Sequence, residues 1–123
     1  MTLIVVPGEP VPWQRARRAG RVHFTDPRVV AQKNRIALAA RAAHVDLAPR
    51  GSAVILGLSF VFMRPARSKN KDHVVKPDVD NLVKLTMDAL TGIAWDDDTQ
   101  VVSVHAHKMY GLEAFTQIEV NRW

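Results

Sequence analysis

The chain has no cysteine, which excludes disulfide staples, zinc–thiolate centres and thiol nucleophiles. Long apolar runs are missing too. The longest, Ala53 to Met63, is interrupted by Gly57 and Ser59 and is far too short to span a bilayer. The opening residues lack the charged region, apolar stretch and cleavage site of a secretory leader. Together with the missing cysteines, this predicts a reducing, cytoplasmic setting without membrane attachment. Acidic residues are scarce in the first part of the chain. Residues 1–76 carry 14 Lys or Arg against four Asp or Glu, a balance of +10, whereas residues 77–123 carry three against eight, a balance of −5. The hydrophobic content, 47%, is that of an ordinary globular protein, and 123 residues suit one domain spanning 1–123 with a single core. A basic body beside a concentrated acidic patch suits a protein that holds a polyanion and acts on it.

The order of elements predicts a mixed α/β sheet of the α+β kind, with helices packed on one face. Leu3 to Val6 reads as a strand, stopped by Pro7-Gly8, Pro10 and Pro12. Trp13 to Arg21, WQRARRAGR, reads as a basic loop followed by a short strand, Val22 to Phe24. Thr25 or Asp26 caps a helix with Pro27 at its first position. That helix runs to about His44, with Val29, Val30, Ile36, Ala37, Ala40 and Ala43 inward and Arg28, Gln32, Arg35 and Arg41 turned away. Pro49 to Ser52 is a turn. Val54, Leu56, Leu58, Phe60 and Phe62 share one face of a long strand, while Gly57 and Ser59 on its other face predict something large packed there, a helix by preference. A polar loop, Arg64 to Val75, leads to a helix from Asp78 to Thr91, ended by Gly92. Val101 to Met109 and Ala114 to Val120 read as a hairpin around Gly111.

Six of the twelve acidic residues fall between Lys76 and Val102, in KPDVDNLVKLTMDALTGIAWDDDTQVV. Close carboxylate pairs repel by about 4 kcal/mol each at an effective dielectric near 20. A bound divalent cation is the common way to offset this, because hard oxygens are its preferred ligands. Asp78 stands where a helix cap would stand, and Asp80 follows within the first turn. Asp80, Lys84 and Asp88 form one polar stripe, opposite Val79, Leu82, Val83, Thr86 and Leu90. Lys84 is either a surface partner of Asp80 or a cation standing over the site. Asn81 can cap, hydrogen-bond across the site or orient a ligand, and Asp88, a turn further on, reads as structural. Asp96, Asp97 and Asp98 are a solvated turn or a further source of ligands. His23, His44, His73, His105 and His107 have no metal-binding spacing, and His105 with His107 on one strand face reads as surface or packing.

At these residues the chain resembles a family. KPDVDNLVKLTMDAL followed by DDTQVV is similar to the signature of RusA-type Holliday junction resolvases, small dimeric endonucleases of bacteria and prophages. The resemblance runs through residues 76–102, about a fifth of the chain, and more loosely through GEPVPWQRAR near the start. It implies Mg²⁺, with Mn²⁺ as a substitute, held by Asp78, Asp80 and Asp98, and a catalytic lysine at Lys84. Asp97 and then Asp96 stand next in order for the third ligand, since three aspartates occupy the place of the usual pair. The implied reaction is hydrolysis of a DNA phosphodiester. The ion polarises the phosphate and activates water, and Lys84 neutralises developing charge. The implied partners are a four-way DNA junction and a second copy of the chain, with no organic cofactor. Arg15, Arg17, Arg18, Arg64, Arg67, Lys69, Lys71 and Lys76 would hold backbone phosphates. Two rival readings are a non-catalytic nucleic-acid-binding protein and a metal nuclease acting on flaps or RNA. Divalent-dependent cleavage separates the first rival from the enzyme, and substrate choice separates the second.

Overall fold

A computed structural model describes residues 1–123. Its centre is β4, Val54–Met63, whose alternating pattern does what a sheet needs: Val54, Leu56, Leu58, Phe60 and Phe62 are all buried on one face. Burying each of the larger side chains contributes roughly 2 kcal/mol. Two further strands flank β4. The last strand, β6 (Phe115–Arg122), runs antiparallel to it, and β5 (Val101–Gly111) runs parallel to it. The first strand, β1 (Thr2–Pro7), joins the outer edge of β6, giving the order β1-β6-β4-β5.

The predicted hairpin between β5 and β6 is therefore not formed, because β4 lies between them. A parallel neighbour needs a crossover, and the helix between β4 and β5 provides one, leaving the other edge of β4 for the returning β6. The connection closes tightly: a Cβ on Gly111 would come within 2.6 Å of Val61 Cγ1. The basic segment is also more ordered than predicted. Arg17–Ala19 (β2) and Val22–Phe24 (β3) pair into a small, fully exposed ribbon.

Helix α1, Pro27–Ala42, starts as its sequence dictates. Asp26 caps it, accepting from the Arg28 amide at 2.8 Å, and Pro27 occupies the first turn. It ends slightly earlier than predicted, because His44 is left-handed (φ 55) and the amides of His44 and Val45 return to Arg41 and Ala40. Val29, Ile36 and Ala40 are buried as expected. Gln32, expected outside, is buried with them and accepts from Arg35, while Val30 is exposed. Helix α2, Val79–Leu90, packs against α1 and buries Leu82, Leu85, Thr86, Ala89 and Leu90. Val79, placed inward by its spacing, is exposed.

Both helices lie on the face made by Leu56, Leu58 and Phe60, and the predicted helix over Gly57 and Ser59 is absent. A Cβ on Gly57 would instead meet the Glu119 side chain at 3.5 Å. On that open face His107 Nε2 lies 3.3 Å from Ser59 Oγ, and the His105 ring meets His107 edge-on. This agrees with a surface role for both histidines. No helix is long and apolar enough to cross a membrane.

Candidate active site

The acidic motif is divided between the two ends of α2. At the N-terminal end Asp78 holds the cap position, yet its side chain makes no capping hydrogen bond. Asp80, in the first turn, accepts only the Asn81 amide, at 2.9 Å. Both carboxylates are exposed and neither is in an ion pair. Capping therefore does not account for Asp78, and the favourable field of a helix N-terminus acts on both. Lys84, one turn on, is not paired with Asp80. Its Nζ stands 3.7 Å from the centroid of the Trp13 ring. Trp13 is fixed in turn, because its amide donates to the Asn81 carbonyl at 2.8 Å. The entry to the helix is tied down as well, by Lys108 on β5, whose Nζ donates to the carbonyls of Val75 (2.6 Å) and Pro77 (2.8 Å). The Lys76–Pro77 peptide is cis.

At the C-terminal end, Asp96, Asp97 and Asp98 each have local work. Asp96 forms a two-pronged pair with Arg50, at 2.7 and 2.8 Å. Asp97 caps a short 3₁₀ turn, Asp98–Gln100, and the Thr99 amide that it accepts holds its carboxyl below the usual range. Asp98 Oδ1 accepts from Thr91 Oγ1 at 2.5 Å and from the indole of the fully buried Trp95 at 3.2 Å. Only its second oxygen is left without a protein partner.

This placement keeps Asp98 away from Asp78 and Asp80 within one chain. Thr91, which Asp98 touches, is eleven residues beyond Asp80 along the helix, a rise of roughly 16 Å. Ligand oxygens of a divalent ion sit about 2–2.6 Å from it. No group of three or more Asp, Glu or His side chains in the chain is arranged to hold a metal. The three-aspartate set does not fit a cation inside a single chain, and the carboxylate repulsion expected between the two segments does not arise there.

Gln100, which the sequence shows only as part of the DDTQVV motif, organises the acidic turn. It is buried, accepts from the amides of Asp96 (2.8 Å) and Asp97 (3.0 Å), and donates to the carbonyls of Pro49 (3.0 Å) and Ser52 (3.1 Å). The D-x-x-Q spacing from Asp97 to Gln100 is a capping-box signature and was a usable signal. Gln100→Leu is expected to destabilise the protein by about 2–3 kcal/mol, since several backbone groups lose their partner at once. Chemical denaturation measures this, and a loss below about 0.5 kcal/mol would mean that water replaces the network.

The cations expected on the DNA-binding surface, Arg15, Arg17, Arg18, Arg64, Arg67, Lys69, Lys71 and Lys76, are all exposed, and none is in an ion pair. Arg18 makes only a local bond to the Gly20 carbonyl. Charges left without partners are available to phosphates. If about six phosphates are neutralised, log K for a DNA junction falls with log salt at a slope of about −5. A slope near zero in anisotropy titrations would reduce these residues to a solvated surface.

Between the Pro-rich segment and the N-terminal end of α2 lies a cleft of about 850 Å³, which reaches from Trp13 to Asp78 and Asn81. Its wall holds Phe62, His73 and Tyr110, none of which the sequence singled out as functional. Burial holds the His73 imidazole below its usual pKa, with Lys108 adding to the effect.

Comparison with known proteins agrees with the motif. The family model described as Endodeoxyribonuclease RusA matches residues 7–121. The Uncharacterized protein YqaN of Bacillus subtilis (strain 168) is 32% identical over 131 residues, covering 92% of this chain and 90% of that protein.

Proposed function

The chain belongs to the RusA endodeoxyribonuclease family, and from that premise we propose a Mg²⁺-dependent nuclease that cuts four-way DNA junctions in recombination and repair. The observation that carries this reading is the pair of uncommitted carboxylates, Asp78 and Asp80, beside Lys84 and next to a surface of unpaired cations. Lys84, held over the Trp13 ring, is placed to neutralise charge that develops on a phosphate at the helix N-terminus, an interaction that strengthens in the transition state. The exposed arginines and lysines hold the backbone on either side and read branch shape more than base sequence.

The division of the acidic residues is resolved in this reading by a two-fold dimer. β5 begins just after Asp98 and runs back towards the N-terminal end of α2, where Lys108 fastens Val75 and Pro77. Its outer edge has no partner strand, and Val102 (59% exposed) and Val104 (41%) lie on it. A second copy packed antiparallel along β5 would carry the partner's Asp98 towards Asp78 and Asp80, and its acidic turn towards Lys76 and Lys108. The symmetry repeats the arrangement, giving two sites for the two cuts that a four-way junction needs. The residues proposed for the cation are thus Asp78 and Asp80 of one protomer and Asp98 of the other, and the setting proposed is cytoplasmic. Pure protein is tested on four-way junctions, flaps, duplex and RNA, with Mg²⁺ or Mn²⁺ and with chelator. Paired cuts in junctions that need the ion support the reading. Preference for flaps or RNA, or binding without cleavage, overturns it.

A further inference from the structure

The cleft beside Asp78 is furnished for more than phosphate. Three of the chain's eight Phe, Trp and Tyr residues, namely Trp13, Phe62 and Tyr110, line it together with His73, although they are scattered from residue 13 to residue 110. Phe62 and His73 stack at 4.0 Å between centroids and 22° between planes, and Tyr110 tilts against His73 at 5.0 Å and 60°. His73 is 6% exposed, and its Nδ1 is buried with no hydrogen-bond partner. A buried polar atom is costly to leave unpaired, so His73 carries an unmet hydrogen-bonding group just behind the cleft wall. Tyr110 is only half-buried, with its ring tilted against His73 at the cleft wall. At the mouth stand Asp78, the Asn81 side chain and the unpaired cation Lys76.

We propose that this cleft receives a single unpaired nucleobase from the DNA strand whose phosphate lies at Asp78. The inference rests on the nuclease reading above and adds what that site recognises. Trp13 and Tyr110, the two rings left partly exposed, offer π-faces that favour a flat aromatic ligand. Phe62 and His73, buried and stacked on each other, back the wall. Asn81 supplies a donor and an acceptor for a base edge, the Tyr110 ring supplies the stacking face, and Lys76 faces the backbone that must accompany the base. The mouth opens on the proposed cutting site, so the base concerned is a neighbour of the cleaved bond. A base inside a regular duplex is paired and stacked, and taking it out is costly. At a branch point that cost is least. The cleft thereby provides a selection step: a strand is seated for cutting only where it can surrender a base.

The test is a chemical double-mutant cycle read by junction affinity in chelator, so it does not depend on cleavage. Abasic sites are placed one at a time at the nucleotides flanking the cut, and each junction is titrated with wild type, Tyr110→Leu and Tyr110→Phe. The expected result is a loss of about tenfold at one flanking nucleotide for wild type. Tyr110→Phe should behave similarly. Tyr110→Leu should bind the intact junction several-fold more weakly, with little further loss from the abasic site. Equal affinity for every abasic junction, or losses that simply multiply between protein and DNA changes, overturns the proposal. If Tyr110→Leu does not fold, the wild-type series decides by itself: a loss confined to one nucleotide supports the cleft, and none overturns it. Absence of Mg²⁺-dependent cleavage in a parallel assay would defeat the nuclease reading while leaving this binding result to stand separately.

Discussion

Asp80→Asn is expected to lower cleavage of a four-way junction by about three orders of magnitude or more, while binding in chelator stays as tight as wild type or becomes tighter. The asymmetry between the two readouts follows from where Asp80 sits. Its carboxylate is exposed, accepts only the neighbouring Asn81 amide and pairs with no cation. Substitution therefore breaks no ion pair, and the amide oxygen can still accept from Asn81. What is lost is one negative charge at a helix N-terminus that faces the phosphates. For binding without metal that charge is a liability, since it repels the DNA backbone. For cleavage it is proposed as one of the ligands of the cation, and no other carboxylate of the same chain replaces it. Asp88 is one turn further from the site than Lys84, and Asp98 is at the far end of the helix. Cleavage within tenfold of wild type under saturating Mg²⁺ would remove Asp80 from the machinery.

How much of this could be read from the chain alone depended on whether the signal was local. The start of α1 is written in Asp26-Pro27, and the buried face of β4 in its strict alternation, so both were legible. The partners of β5 and β6 were not. Their spacing around Gly111 suits a hairpin, and only the α2 crossover, which sets β5 beside a strand some fifty residues earlier, forbids it. The open face of the sheet is not legible in the sequence, because Gly57 accommodates a side chain from β6 and not a helix. The candidate site follows the same rule. Asp78, Asp80, Lys84 and Asp98 stand out because motif and spacing are properties of sequence. That Asp98 stays with Thr91 and the buried indole of Trp95 is a property of the packed loop. The aromatic cleft was illegible for the same reason, since Trp13, Phe62, His73 and Tyr110 come from four separate segments.

The second large effect is a restoration of activity by mixing two inactive proteins. Asp80→Asn and Asp98→Asn should each be inactive as pure dimers, because every site then lacks one proposed ligand. After subunit exchange, about half of the dimers are mixed. In a mixed dimer one site combines both substitutions and stays dead. The other joins unaltered Asp78 and Asp80 from one protomer to an unaltered Asp98 from its partner. About a quarter of the wild-type number of sites should therefore reappear, and the product should be a single nick per junction in place of paired cuts. Misfolding is a poor explanation for inactivity of Asp98→Asn, since its retained amide oxygen can still accept from Thr91 and Trp95. The outcome separates two geometries cleanly. If all three aspartates acted within one chain, each protomer of a mixed dimer would carry its own defect and no activity could return. A mixture that stays inactive after demonstrated exchange would thus overturn the shared site. Activity of Asp98→Asn alone would show instead that this carboxylate serves only the indole and the end of α2.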